Sequence, residues 1–533
     1  MKFSILIIKV KNANIVKEPV AEAVTDHSKK RVRFKWTDYS YQKLIESDYI
    51  PVFLEHIENS DINGAISSLT KLLQDVSKES KCVNTKTIEK AQSSPWWDNE
   101  LETMRYQKFK CLKSVRRENN DYAKSKYKNV KNEFKMMIRN KKTMYKNDLR
   151  KRIENCNLAS DFWKIVKSMN HSRDCVNKIS SEDWKNYFVL LLNSPNPVDE
   201  KFKHEVNEYL NYHDENCVSC KTNINGHEPN VLNSDITLVE IENVIIEIQK
   251  LKAPGIDGVT NDILKKGKIM IVPMLQVLFN KILEMGEFRT DWCDAIIIPV
   301  YKKGNVNDPN NYRGISLLSS ISKIFTKVIN NRLVKWAENE NKMSELQAGF
   351  TKGKSTVDHI FVLQCLIGKY LNRKRGRFYA VFVDFSKAFD SVPHFHLFHG
   401  RTINVLRNMY SKVKSCVQID KDMLSESFSC QLGTRQGCML SPFLFICYLN
   451  ELIEMSVIND CKGIFLDAEH PNISMLLYAD DLVFVGDNIG RVQKLLDTLN
   501  TFCNKWGLKV NLDKTKFMVY RNGGIIKNYE VLY

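Results

Sequence analysis

Three aspartates carry the chemistry of this sequence. Asp384 lies in Phe382-Val383-Asp384-Phe385, and about ninety residues later Asp480 and Asp481 end the tetrad Tyr478-Ala479-Asp480-Asp481. All three adjoin apolar runs: Tyr379 to Phe385 upstream, and Met475 to Tyr478 and Leu482 to Val485 downstream. Short apolar runs of this kind read as β-strands, which puts the acidic pair at the turn of a hairpin. A hairpin tip holds carboxylates out of the sheet. Charges beside so much apolar sequence are costly unless compensated, and a divalent cation is a common compensation. Mg²⁺ prefers hard oxygen ligands and keeps waters and substrate phosphates in its shell, which suits a few aspartates. Two such ions, roughly 4 Å apart, clamp the attacking and leaving oxygens of a phosphoryl transfer. An isolated Asp-Asp is more often a surface turn, so the reading depends on what accompanies the pair.

The elements that must position these residues are partly legible. After Thr237, the residues Leu238, Ile241, Val244, Ile245, Ile248 and Leu251 recur at helical spacing. Such an amphipathic helix needs a core, so a globular domain is expected to begin there. Ser441-Pro442 opens another helix, with proline at a tolerated first-turn position. From Trp96-Trp97 to Met169 the chain has neither Gly nor Pro, and charged residues alternate with Tyr, Phe, Met and Leu. That pattern predicts two or three long basic helices. Residues 1–93 hold short helical patterns such as Ile62 to Val76 and no legible function.

A chain of 533 residues has room for two to four domains. Its 79 Lys and Arg against 62 Asp and Glu give a net charge of +17. The excess is concentrated between Leu101 and Asn155, where 18 basic residues face 6 acidic ones. A stripe of that kind attracts phosphate backbone without sequence choice. Fourteen cysteines are scattered with no signal peptide, which reads as a reducing, intracellular setting. The apolar Phe3 to Ile8 is too short for a span, and no other run reaches the necessary length, so no membrane partner is expected. Lys29-Lys30-Arg31-Val32-Arg33 is a weak targeting patch. Cys217-Val218-Ser219-Cys220 with His227 has only one Cys-x-x-Cys pair, a weak zinc signal.

Further motifs stand in register around the aspartates. They are Lys252-Ala253-Pro254-Gly255-Ile256-Asp257-Gly258, Ile298 to Gly304, Asn311-Tyr312-Arg313-Gly314-Ile315-Ser316-Leu317-Leu318 and Gln347-Ala348-Gly349-Phe350 with Ser355-Thr356. Phe382 to Asp390, Arg435-Gln436-Gly437-Cys438-Met439-Leu440-Ser441-Pro442, the Tyr-Ala-Asp-Asp tetrad and Leu508 to Lys516 follow in that order. Together they resemble a reverse transcriptase of the non-LTR, LINE-type retrotransposon family over roughly residues 236 to 520. The Trp96-Trp97 segment with its Lys- and Tyr-rich helix, ending in Phe162-Trp163-Lys164, is similar to the region joining endonuclease to polymerase in those elements.

The resemblance implies an α+β fold: right-hand polymerase fingers over 236–375 and a palm over 376–533, with the thumb absent or incomplete. The palm would be an antiparallel sheet backed by helices, preceded by an N-terminal region (1–93) and a basic, mostly helical linker region (94–235). It implies RNA-directed DNA synthesis with an RNA template, a DNA primer or target, deoxynucleoside triphosphates and two Mg²⁺ ions, or Mn²⁺ in their place. Asp384 and Asp480 would hold both metals, with Asp481 as a weaker third carboxylate and Lys514 as general acid to the pyrophosphate. Lys302 and Arg313 would meet the triphosphate, Phe389 would exclude a ribose 2′-hydroxyl, and Gln436 and Gly437 would lie under the nascent base pair. Work would be in the nucleus, the cytoplasm or both, as a ribonucleoprotein.

The sequence departs from the family pattern in three ways. Only 45 positions separate Asp390 from Arg435, so about three helical turns are missing behind the site. Gly314 replaces a usual proline, which is expected to loosen the loop carrying Arg313. Beside the family pattern, the sequence is expected to lack the endonuclease ahead of residue 1 and a clear thumb beyond Tyr533, as a truncated copy would. The competing reading is a catalytically inactive relic whose basic helices still bind nucleic acid; a group II intron-type maturase fits less well because of the Trp96-Trp97 linker.

Overall fold

The structure is a computed structural model. It describes residues 46–79, 84–87, 96–118, 120–154, 179–194, 231–250, 252–392, 401–420, 423–466 and 472–523, with residues 44, 204 and 208 and two short N-terminal strands. Cys217, Cys220, His227, Phe162 to Lys164 and the 393–400 segment lie outside the described residues. The chain divides into two compact units: residues 1–18, 33–84 and 178–533 form one, and residues 19–32 and 85–177 form the other.

In the larger unit, five antiparallel strands run in the order Leu6–Ile7, Lys516–Arg521, Arg377–Val383, Asp481–Gly486, Met475–Tyr478. Side chains alternate across these strands, so each face has its own core. Tyr379, Val381 and Val383 pack with Leu477, Leu482 and Phe484 against two helices, Ser441–Ile458 and Ile489–Trp506. On the other face, Phe378, Ala380, Leu476 and Val485 meet Leu366 and Tyr370 of the helix Thr356–Leu371. The helix Ser441–Ile458 is apolar and long enough to cross a membrane, yet most of it is buried in this core.

A second, mixed sheet contains Tyr312–Leu317, Asp294–Tyr301, Lys414–Asp420 and Met423–Leu424, with Phe428–Ser429 pairing Lys414–Asp420. Asp294–Tyr301 runs antiparallel to Tyr312–Leu317 and parallel to Lys414–Asp420. The predicted amphipathic helix is present as Leu238–Glu247, started by a capping box between Thr237 and Glu240 that contributes about 1 kcal/mol. Its Ile241, Val244 and Ile245 are buried with Leu275, Leu278 and Phe279 of the helix Lys268–Met285.

The domain boundaries differ from those the sequence predicts. The helices Tyr49–Glu58 and Ile62–Glu79 bury Phe53, Ile66, Leu69 and Leu73 in the same core as Leu275 and Phe279. Gln74 Nε2 also donates to the Asp257 carbonyl at 2.6 Å, and Arg289 Nη1 to that of Asn63 at 3.0 Å. These helices are part of the larger unit and its core rather than a separate 1–93 region. At the other boundary, helix Ser181–Leu192 seats Trp184 and Phe188 on Ile297 and Val417 of the mixed sheet, so it too belongs there rather than to a 94–235 linker. Periodicity showed the helix around Ile62 to Val76 but not which core it fills, and Ser181–Leu192 stands in a passage the sequence reads as loop-rich.

The smaller unit holds the predicted basic helices as Asn99–Glu118 and Asp121–Glu154. Among the described residues of these helices, Leu101, Ala123, Phe134 and Leu149 are the buried hydrophobics. Lys108 Nζ lies 4.6 Å from the Phe134 ring centre, and Lys141 Nζ hydrogen-bonds Glu100 at 2.5 Å.

Candidate active site

The acidic pair stands where the sequence expects it. Met475–Tyr478 and Asp481–Gly486 form an antiparallel hairpin in which Tyr478 pairs Asp481, leaving Ala479 and Asp480 at the turn. The next strand over pairs Leu482 with Val383, and continuing that register by one residue sets Asp481 beside Asp384. Both carboxylates follow the parity of Phe382 and Val483, so they share the face covered farther along by helix Thr356–Leu371. A cavity there is lined by Thr356, His359, Tyr478, Asp384, Asp481 and Lys514. Burial, and then the charges of Asp480 and Asp384, hold the Asp481 carboxyl above the usual carboxylate range.

The left-handed turn residue Ala479 (φ 55°) is braced by a motif whose role is not legible in the sequence. Buried Gln347 accepts from the Ala479 N–H at 3.0 Å and from the Gly349 N–H at 2.7 Å, both through Oε1. Leu477 exchanges backbone bonds with Leu346 and Ala348 at 2.9 Å each. A side chain at Gly349 would place its Cβ 2.1 Å from the Ala479 nitrogen, so only glycine permits this approach. The quoted Gln-Ala-Gly-Phe segment is thus a strut under the aspartates.

Lys514 is neither free nor remote. Its Nζ lies 3.0 Å from Asp384 Oδ2, and the neighbouring Thr515 Oγ1 accepts from the Asp384 N–H at 3.3 Å. The loop before them is tied to the Asp384 segment: Ser386 N–H donates to Lys509 O at 2.8 Å and Asn511 N–H to Asp384 O at 2.7 Å.

Phe389 and Gln436 converge through a second set of backbone bonds. Thr434 N–H donates to Phe389 O at 2.7 Å, and Gly433 N–H to Val392 O at 2.8 Å. The Phe389 ring stacks on Phe445 with centroids 4.0 Å apart and meets Phe350 edge-on at 6.3 Å. Phe389 is therefore half-buried packing between Phe445 and Phe350. Gln436 Nε2 donates to Asp390 Oδ1 at 2.8 Å, an engagement the sequence did not disclose. Gly437 is exposed, and its close approach is to the Ser316 carbonyl, 2.3 Å from where a Cβ would stand.

Lys302 and Arg313 end two adjacent strands. Val300 pairs Arg313, Tyr301 pairs Tyr312, and Lys302 N–H donates to Asn311 O at 2.8 Å. Both side chains are exposed. Gly314 is not in a loosened loop: it pairs Pro299 inside the strand, and Phe188 packs over the space a side chain would fill.

The donor set fits Mg²⁺. Its oxygens are hard, and Asp481 already bears the repulsion of two neighbouring carboxylates, which a divalent cation would relieve. No trio of His, Cys, Asp or Glu among the described residues forms a closed cluster. Mg²⁺ is commonly held by one or two carboxylates with water and substrate phosphates; the cavity brings Asp384 and Asp481 together, and Asp480 stands at the adjoining turn outside its lining.

Residues 300–533 match the family model described as reverse transcriptase (RNA-dependent DNA polymerase). The chain is 30% identical over 300 residues to a probable RNA-directed DNA polymerase from transposon BS of Drosophila melanogaster, covering 52% of this chain and 32% of that one. It is 25% identical over 304 residues to the RNA-directed DNA polymerase from mobile element jockey of the same fly, covering 54% and 32%. It is also 25% identical over 288 residues to the Pol polyprotein from type-1 retrotransposable element R2 of Popillia japonica, covering 52% and 38%. The chain thus spans about a third of the length of these curated relatives.

Proposed function

We propose that this chain, which carries a reverse transcriptase domain related to those of non-LTR retrotransposons, is an RNA-directed DNA polymerase. The observation that supports the reading most is the strand register that sets Asp481 beside Asp384, with Asp480 at the adjoining turn. In this reading the five-stranded antiparallel sheet is the core of the palm, and Asp294–Tyr301 and Tyr312–Leu317 belong to the fingers; Lys414–Asp420, from the range expected to be palm, pairs with them in the mixed sheet.

The reaction joins the 3′-hydroxyl of a DNA primer to the α-phosphorus of a deoxynucleoside triphosphate paired with an RNA template. The hydroxyl gives its proton to solvent water, its oxygen forms the new bond to the α-phosphorus as the bond from that phosphorus to the β-phosphate's bridging oxygen breaks, and pyrophosphate leaves. Bound Mg²⁺ supplies Lewis-acid activation of the hydroxyl and charge neutralisation on the phosphates. Asp384 and Asp480 would hold the ions, and Asp481 raises the negative potential that draws them. Lys514 carries the proton that passes to the departing pyrophosphate. Lys302 and Arg313 grip the triphosphate, Arg313 through its planar fork. Phe389 blocks a 2′-hydroxyl, its ring fixed by Phe445. Gln436 touches the incoming sugar or base, since its amide retains a second hydrogen and an acceptor beyond the Asp390 bond. The basic helices of the smaller unit grip RNA backbone, and the protein works inside the cell as a ribonucleoprotein.

Primer extension tests this reading. Purified protein with Mg²⁺, poly(rA) and oligo(dT) should incorporate dTTP, whereas retained RNA binding without incorporation would identify the inactive relic.

A further inference from the structure

Asp390 has no role in the chemistry above, yet it sits at the centre of a polar cluster. Its Oδ1 accepts from Gln436 Nε2 at 2.8 Å. Its own backbone is fixed: Asp390 N–H donates to Lys387 O at 2.9 Å, while its neighbours Phe389 and Val392 accept from Thr434 and Gly433. Gln436 is held from the other side, its carbonyl accepting from Ser316 N–H at 2.8 Å. Three elements therefore meet at one carboxylate: the turn after Asp384, the strand Tyr312–Leu317 and the segment before helix Ser441–Ile458.

The charges around Asp390 are also organised. Desolvation dominates and raises the carboxyl to about 6, while the Gln436 hydrogen bond, then Lys387 from its own turn and Arg313 from the strand, draw it toward its charged form. Lys387 has a left-handed backbone (φ 52°); its Nζ donates to Asn310 Oδ1 at 2.9 Å and lies 4.8 Å from the Tyr187 ring centre. Tyr187, on helix Ser181–Leu192, feels Asp390 and Asp308 after its own burial and is raised to about 12, so it stays neutral. Among these groups, Asp390 is the one whose charge changes near neutral pH.

We infer that Asp390 is a positioning residue for the incoming nucleotide: its carboxylate fixes the amide of Gln436, with Lys387 and Arg313 arranged around the same anion. A half-buried, desolvated carboxylate is expensive to keep unless its hydrogen bond does something useful, and orienting a floppy glutamine amide beforehand lowers the cost of ordering it on binding. The inference rests on the polymerase reading for the identity of the ligand.

The test measures dTTP affinity in a complex of the full chain with RNA template, dideoxy-terminated DNA primer and Mg²⁺, beside kcat on an extendable primer. Equilibrium affinity needs no turnover, so an inactive wild type would overturn the polymerase reading while the affinities still judge Asp390. Asp390→Ala and Gln436→Ala should each weaken dTTP binding about tenfold, a loss of about 1.4 kcal/mol, with kcat changed much less. The double variant should be no worse than either single one, because both break one path. Asp390→Asn keeps an acceptor without the charge; its affinity should be intermediate at pH 7.5, and the gap to wild type should close as the pH falls through about 6. Additive losses in the double variant, or an Asn-to-wild-type gap independent of pH, would overturn the proposal. So would equal affinity in wild type and Asp390→Asn at pH 7.5. The Asn variant retains volume and a hydrogen bond, so it answers even where Asp390→Ala folds poorly.

Discussion

Gln347 Oε1 accepts from the backbone N–H of Ala479 at 3.0 Å, and this bond fixes the turn that presents Asp480 and Asp481. Replacing Gln347 with Ala leaves the Ala479 and Gly349 N–H groups buried without this partner, at about 1–3 kcal/mol each. A misplacement of about 1 Å at a reacting group can cost a hundredfold in rate. Gln347→Ala should therefore lower both the melting temperature and kcat, with template affinity little changed. Gly349→Ala should be worse, because its Cβ meets backbone. Thermal melts with primer extension decide it; full activity in Gln347→Ala would remove the strut.

The Phe389 ring packs on Phe445, and one substitution separates that packing from the proposed exclusion of a 2′-hydroxyl. Stacking on Phe445 contributes about 0.5–1.5 kcal/mol beyond area burial, so Phe389→Val should lower stability. It should also admit ribonucleotides, lowering the ratio of dNTP to rNTP incorporation. An unchanged ratio with reduced stability would make Phe389 packing alone.

Lys514 is paired with Asp384 at 3.0 Å, but both side chains are substantially exposed. An exposed pair contributes about 0–1 kcal/mol, so Lys514→Met should barely move the melting temperature. Its effect should fall on kcat, by about 10²–10⁴-fold if it delivers the proton to pyrophosphate. A kcat near wild type would reduce Lys514 to a counter-ion.

The basic helices make a salt-dependent prediction. Lys124, Lys126, Lys128 and Lys131 are all exposed on helix Asp121–Glu154. Each phosphate neutralised contributes about 0.7 to the slope of log affinity against log salt for a single strand. Changing all four to Gln should weaken binding to two unrelated RNAs alike and flatten the slope by roughly two to three units. An unchanged slope would mean solvated spacers, and a loss confined to one RNA would mean recognition of a particular structure.

What the sequence disclosed follows from what local patterns encode. The hairpin around Asp480, the strand before Asp384, the helix after Thr237 and the basic helices each rest on periodicity within one segment, and each is present. The site residues that escaped notice act across long separations. Gln347 reaches Ala479 over 132 positions and Gln436 reaches Asp390 over 46, so nothing local marks either bond. The same limit explains the domain boundaries: Phe53 and Trp184 look like ordinary amphipathic-helix residues until their partners, Leu275 and Ile297, are known. Gly314 reads as a loosened loop only while Pro299 and Phe188 are unseen.

The most direct test of the central claim is Asp480→Asn, measured by primer extension on poly(rA) with Mg²⁺ beside RNA affinity at the same salt. An amide keeps the shape of the turn but loses the charge that draws a hard cation. Extension should vanish while RNA affinity stays within about twofold of wild type, under 0.5 kcal/mol. Extension within a few fold of wild type would contradict the assignment of Asp480 and, with it, the site built around Asp384.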